Sequence, residues 1–382
     1  MDIDTSKVAQ ECIDAFQKQV KELKKLNIVV VGKSGVGKST LINSLFRDNF
    51  AKTGLGRPVT SEIRKIEKKD YPLVIYDTPG FELSHDQQAK IKQGIIKLVN
   101  DGIASQDINQ AIHCIWYCIN VGANRTFDES EIAWIRDFSS GNNISRVPIV
   151  VVLTQACPKQ KALEMKALVE AENLDVVKVI PVLAQDMDFD GEYTAKAYGL
   201  DTLVEIMGEV LPEELQKTFQ NIQKASLDAK KKYAHGIVAA TVAASFGEGF
   251  APLKVPDAVV LIPTQVTMIA GISVVFGMDL SKTFLTAFAT STIGTASATL
   301  VGKKIVTTIL SLIPKIGKTA SGLISGAVAG LLTTALGEAF IQIMSMVFTG
   351  EMTQSQLEND EGQELMNTMF REELHKRHVP FT

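Results

Sequence analysis

A chain of 382 residues exceeds what one hydrophobic core usually organises, so two domains are expected. Its formal net charge of -4 argues against a dominant nucleic-acid footprint, which needs a clustered basic surface, and no nucleic-acid partner is expected. Cys12, Cys114, Cys118 and Cys157 are too few and too scattered for a disulfide framework or a zinc ribbon. With an opening MDIDTSKVAQE that lacks the apolar core of a secretory signal, they read as reduced thiols of a cytoplasmic protein.

From Thr5 to Leu26, Val8, Cys12, Ile13, Phe16, Val20 and Leu23 recur at three- and four-residue steps, which predicts an N-terminal amphipathic helix within residues 1–26. Asn27 to Val31 is a continuous β-branched run of the kind buried on both faces of a parallel sheet. Similar runs follow at Leu73 to Tyr76, Ala111 to Ile119, Pro148 to Leu153 and Val176 to Val182, separated by helix-length mixtures. That alternation predicts a doubly wound, mostly parallel α/β sheet across residues 27–211.

Composition shifts after Leu211. Residues 212–235 are expected as a helical linker containing Lys230-Lys231-Lys232, residues 236–350 as an apolar all-α domain, and residues 351–382 as a charged tail with a helix around Glu361 to His375. Three charge-free runs, Ala258 to Met278, Thr283 to Gly302 and Thr319 to Gly337, approach the roughly 20 residues that cross a bilayer as a helix. Thr, Ser, Gly, Gln265 and Pro263 dilute them, so peripheral membrane contact is expected rather than spanning. Gly322, Gly326 and Gly330 fall four apart, a stripe suited to close helix packing inside the bundle. Lys303, Lys304, Lys315 and Lys318 flank the apolar runs, where solvated helix ends are expected.

Chemistry concentrates in the first half. Gly32 to Ser39 (GKSGVGKS) follows a predicted strand and precedes the helical run Thr40 to Phe46, the setting of a phosphate-binding P-loop. Lys33, Ser34, Gly35, Val36 and Gly37 supply a cradle of backbone N–H groups, and Thr40 opens the helix whose N-terminus faces the same anion. Lys38 is expected on the β- and γ-phosphates and the Ser39 hydroxyl on magnesium. Asp77-Thr78-Pro79-Gly80 ends the next strand, where an acid holds the metal shell and the Gly80 N–H senses the γ-phosphate; Thr60, in the loop between, is expected to cap the metal. Lys38, Thr60 and Gly80 are therefore the expected catalytic groups, and Ser39, Thr60 and Asp77 the metal-binding ones. The five histidines are dispersed, and no nucleophile triad or metal cluster appears elsewhere.

Residues about 27 to 185 resemble an Era-like, septin-like or immunity-related GTPase domain of the TRAFAC class, in which these segments are the first three G motifs. The resemblance implies an α/β P-loop G domain that binds GTP and GDP with magnesium and hydrolyses GTP, and a homodimer through that domain. The fourth motif, [NT]-K-x-D, falls on Thr154-Gln155-Ala156-Cys157, where Gln155 replaces the lysine and Cys157 the aspartate that pairs with guanine. Guanine selectivity below the family's is implied. Thr154 and Gln155 are carried over as nucleotide-binding, with the Ala184 N–H reaching the base oxygen from the fifth motif. Phe81 and Glu82 stand where Ras-like proteins have an alanine and a water-orienting glutamine, which implies slow intrinsic turnover. Residues about 237 to 346 resemble a helical domain of unknown function found in YcjF-type bacterial membrane proteins. The combined expectation is a regulatory or assembly switch whose helical domain is the output to a membrane or partner. A nucleotide-binding scaffold with little hydrolysis and a nucleotide-gated membrane-inserted protein are its rivals.

Overall fold

The Val- and Ile-rich runs of the first half fold as one sheet in the computed structural model, which describes residues 5–47, 63–79, 85–122, 127–140, 147–246, 261–292 and 326–377. Thr60, Gly80, Phe81 and Glu82 lie outside the described residues, as do Gly322 and the lysines at 303, 304, 315 and 318.

Helix α1 (Thr5–Lys21) precedes β1 (Leu26–Val31), α2 (Lys38–Leu45), β2 (Arg64–Glu67), β3 (Leu73–Asp77), α3 (His85–Ser105), β4 (Cys114–Asn120), α4 (Glu129–Ser140), β5 (Ile149–Thr154), α5 (Lys159–Ala171) and β6 (Lys178–Pro181). The sheet order is β2-β3-β1-β4-β5-β6. Every pairing is parallel except that of the edge strand β2 with β3. A hairpin, β7 (Met187–Phe189) with β8 (Tyr193–Ala195), leads to α6 (Leu200–Val210) and α7 (Glu213–Ile222).

Alternation along β1 divides the interior. Leu26, Ile28 and Val30 join Leu41, Ile75, Trp116, Val150 and Met207 on one face. Val29 and Val31 join Ile95, Tyr117, Ile135 and Val151 on the other. A strand buried on both faces has no polar side, which is why these runs read as continuous. Leu215, Phe219 and Ile222 of α7 belong to the first cluster. The leading part of the segment expected as a linker is thus core on one face of the sheet: the three residues fall on one helix face and bury together.

The chain divides into two units, Leu23–Ala229 and a second that gathers α1 with the residues from Lys230 on. Grouping α1 with the C-terminal helices differs from the expected domain boundaries. Its apolar stripe, Val8, Ala9 and Cys12, is buried against α9 (Leu261–Phe276) and α10 (Lys282–Thr292), and Gln19 Nε2 donates to the Thr267 carbonyl at 3.1 Å. Before them runs α8 (Leu227–Phe246), and after them α11 (Gly326–Thr349), α12 (Gln354–Glu358) and α13 (Asp360–Lys376). Of the expected apolar runs, α9 has 16 residues, and among the described residues one stretch, Gly330–Thr349, is long and apolar enough to cross a membrane; more than half of it is buried inside the protein.

Two contacts give this unit its specificity. Lys230, which sits in a run that looks solvated in the sequence, is fully buried: Nζ donates to the carbonyl of Val275 at 2.8 Å, capping the C-terminal end of α9 where a cation is favoured. Gly337 on α11 meets α8 and α9 so closely that a methyl there would lie 2.6 Å from Val238 Cγ2 and 3.0 Å from Met268 Sδ. Close approach of this kind, expected of the Gly322, Gly326, Gly330 stripe, is made at Gly337 in addition to any made there. Gly337→Ala should lower stability by about 1–3 kcal/mol through overpacking, measured by denaturant unfolding. An unchanged midpoint would mean that α8 and α11 separate freely.

Glu373 on α13 is buried and accepts from Gln342 Nε2 (2.8 Å), Lys376 Nζ (2.6 Å) and Arg377. Burial pushes its carboxyl up, but the two cations and the amide outweigh it and hold the group below its ordinary value of 4.5. A depressed carboxylate contributes stability above its unfolded pKa, and that contribution is lost as pH falls through the folded one. The stability difference between the parent and Glu373→Gln should therefore be full near neutrality and close below about pH 4.5. A difference constant into acid would contradict the assignment.

Candidate nucleotide-binding site

The phosphate loop runs from the end of β1 to α2. At Gly32 (φ +148°), a Cβ would lie 2.4 Å from the carbonyl oxygen of Cys118 on β4, so no side chain fits between the two strands. Gly37 (φ +95°) is the left-handed N-cap of α2 and makes no side-chain cap bond, which leaves the first-turn N–H groups facing the loop. A helix N-terminus presented this way is suited to an anion.

Lys38, the first residue of α2, folds back over the loop: its Nζ donates to the carbonyls of Gly32 (2.8 Å) and Lys33 (3.1 Å). Ser39 follows it in the first helical turn. Asp77 ends β3 with its Oδ1 buried and hydrogen-bonded to nothing. Burial pushes its carboxyl up, partly offset by the charges of Lys38 and Arg64. An orphaned buried carboxylate oxygen within reach of the P-loop lysine is costly unless a cation completes it. The donor set, hydroxyl plus carboxylate with few protein ligands, fits magnesium. Among the described residues no group of three or more His, Cys, Asp or Glu side chains is placed to hold a metal.

The end of β5 also supports the loop. Thr154 is buried, and its hydroxyl lies within hydrogen-bond distance of the carbonyls of Val36 and Ile119, the latter at 3.1 Å. Gln155, in left-handed backbone (φ +48°), donates from Nε2 to the Gly35 carbonyl at 3.0 Å. Two side chains expected at the nucleotide thus grip the loop that would hold its phosphates. Cys157 is half-buried, its N–H donating to the Gln155 carbonyl at 2.7 Å. Ala184 is brought beside this segment by Ala156 N–H to Val182 O (3.2 Å) and Val182 N–H to Leu153 O (2.7 Å).

A second group of residues escaped the sequence reading. Lys33 Nζ lies 3.0 Å from Glu131 Oε1 and 3.3 Å from Asp128 Oδ2, and the Tyr117 hydroxyl donates to Glu131 Oε2. Asp128 caps α4, its Oδ1 accepting from the N–H groups of Ser130 (3.0 Å) and Glu131 (3.2 Å). The helix-start signature Asp128 to Glu131 was present in the sequence; that its glutamate turns away from the cap to Lys33 was not.

Residues 27–155 match the family model described as a 50S ribosome-binding GTPase, and residues 209–371 match a domain of unknown function, DUF697. Septin-9 of Rattus norvegicus is 38% identical over 97 residues, which cover 22% of this chain and 17% of septin-9. Neuronal-specific septin-3 of Danio rerio is 28% identical over 192 residues, 44% of this chain and 51% of the septin. GTPase Era of Clostridium botulinum is 26% identical over 191 residues, 49% of this chain and 55% of Era. The chain spans about half the length of septin-3 and Era and less of septin-9. Among solved structures, the septin GTPase domain of Chlamydomonas reinhardtii aligns with a TM-score of 0.35 at 15% identity, covering 52% of this chain and 95% of that one. The first half of the chain is therefore similar to GTPases, septins and Era among them, and residues 209–371 are similar to a domain of unknown function.

Proposed function

We propose that the G domain binds GTP and GDP with magnesium, hydrolyses GTP slowly, and works as a regulatory or assembly switch with the helical unit as its output. The observation that carries the metal-dependent part is Asp77: a buried, unpaired carboxylate oxygen within reach of the P-loop lysine. Ser39 and Asp77 would hold magnesium, with Thr60, which precedes β2 in the chain; the ion would supply charge neutralisation at the phosphates. The chain's own groups do the rest. The N–H groups of the loop and of the first turn of α2 orient the phosphates, and the Lys38 ammonium exchanges its carbonyl partners for phosphate oxygens. Catalysis in such a site is positioning and electrostatic stabilisation, to which the Gly80 N–H contributes.

Slow turnover rests on Phe81 and Glu82, since neither an aromatic ring nor a carboxylate reproduces an amide that orients water. A group supplied by a second G domain would complete the site, which is why a homodimer belongs to this reading. Peripheral membrane contact is assigned to the helical unit on its apolar composition and the burial of Gly330–Thr349.

Lys38→Ala should weaken GTP binding by roughly 10- to 100-fold, the worth of charge-assisted hydrogen bonds, measured by calorimetry. Retained affinity would remove the nucleotide assignment. Competition of ATP against GTP should show a guanine preference that Cys157→Asp sharpens, because the new carboxylate pairs with donors only guanine has. Equal binding of both nucleotides in parent and variant would mean that Cys157 does not face the base.

A further inference from the structure

Lys33 is expected to lend the site its backbone N–H, yet its side chain is tied to groups outside the loop. Its ammonium reaches two carboxylates, Glu131 at 3.0 Å and Asp128 at 3.3 Å. Glu131 is 3% exposed, and both of its oxygens are used: Oε1 by Lys33, and Oε2 by the hydroxyl of Tyr117, which is itself fully buried in β4. Asp128 is fixed by capping α4. The carbonyl of the same Lys33 accepts from Lys38 at 3.1 Å, so one residue is anchored at its side chain by β4 and α4 and at its backbone by the P-loop lysine.

Stability alone is a weak reason for this arrangement. A carboxylate and an ammonium taken out of water lose hydration that their attraction only partly returns, and apolar residues of similar volume are often as stable. What a paired, hydrogen-bonded carboxylate supplies is a fixed direction. We propose that Lys33 is a positioning residue of the phosphate loop, held by the Tyr117–Glu131 pair and Asp128 so that the loop's entry limb is set in its phosphate-accepting shape before nucleotide arrives. The proposal rests on the reading that this loop binds nucleoside phosphates, and adds that a buried carboxylate about a hundred residues downstream determines how well it does so.

The rival role for Lys33 is a second phosphate-binding cation, and the two make opposite predictions for Glu131. A cation restrained by a carboxylate is freed when the carboxylate is removed, so Glu131→Gln would leave GTP affinity unchanged or raise it. A positioning lysine loses its anchor instead. The experiment is calorimetric titration of GTP and GDP into the parent, Lys33→Met, Glu131→Gln and the double variant, well below their unfolding midpoints, with those midpoints measured separately. Each single variant should bind both nucleotides about tenfold more weakly, and the double variant no more weakly than either single, since both changes cut one connection. GTP and GDP should lose equally, because the loop holds the phosphates they share.

Unchanged or tighter binding in Glu131→Gln, additive losses in the double variant, or a loss confined to GTP in Lys33→Met would each overturn the proposal. Should Glu131→Gln prove unfolded, Asp128→Asn tests the same anchor from the exposed side and should weaken both nucleotides in the same ratio; no weakening there overturns it. A parent that binds neither nucleotide would refute the nucleotide-binding reading instead.

Discussion

A loop that turns its N–H groups inward toward an anion must turn its carbonyls outward, and those carbonyls need donors of their own. In this protein the donors are side chains. Lys38 serves the carbonyls of Gly32 and Lys33, Gln155 that of Gly35 and Thr154 that of Val36. The phosphate loop is thus held from outside by the end of β5 and from within by its own lysine, while Lys33 fastens its entry limb to β4 and α4. Two of these four carbonyls, those of Gly35 and Val36, are held by groups outside the loop, and two, those of Gly32 and Lys33, by the loop's own lysine.

That constraint divides the fourth G motif into two jobs. Holding the Gly35 carbonyl requires a donor of sufficient reach, which the Gln155 amide provides as a lysine would. In the family pattern the last position carries the carboxylate that pairs with guanine, and in this chain Cys157 stands there. Departure from the family pattern at Gln155 is therefore mild in structural terms. The replacement at Cys157 leaves these bonds to the loop intact.

What could be read from the sequence was what is local. The strands are legible because burial on both faces leaves an unbroken β-branched run, and the P-loop because its glycines answer to backbone conformation at positions such as Gly37. The network of Lys33, Tyr117 and Glu131 was not, since nothing in the composition of α4 says which glutamate points inward across a sheet. The burial of Lys230 was not legible for the same reason: nothing in a run of three lysines says that the end of α9 supplies carbonyls for one of them. The glycine stripe drew attention to residues 322, 326 and 330, and a close contact also falls at Gly337, about two turns beyond Gly330. Spacing identifies which residues share a helix face, and only the neighbouring helix decides which of them is crowded.

The helical unit resolves a different ambiguity. Its Ser and Thr residues, which make the apolar runs weak as membrane spans, largely bond within their own helices. Ser273 donates to Ile269, Thr292 to Phe288, Thr334 to Gly330 and Ser345 to Ile341. Hydroxyls satisfied four residues back ask nothing of the surroundings, so the helices tolerate a protein core and an apolar medium alike. The contacts that discriminate between the two lie elsewhere. Gln342 on α11 donates to the buried Glu373 of α13, and Gly337 accepts the side chains of Val238 and Met268. Both are lost if α11 leaves the bundle, and the carboxylate would then keep Lys376 and Arg377 but lose its amide partner. The packed arrangement is favoured by shape and by one polar contact, both made by α11 with its neighbours among the described helices.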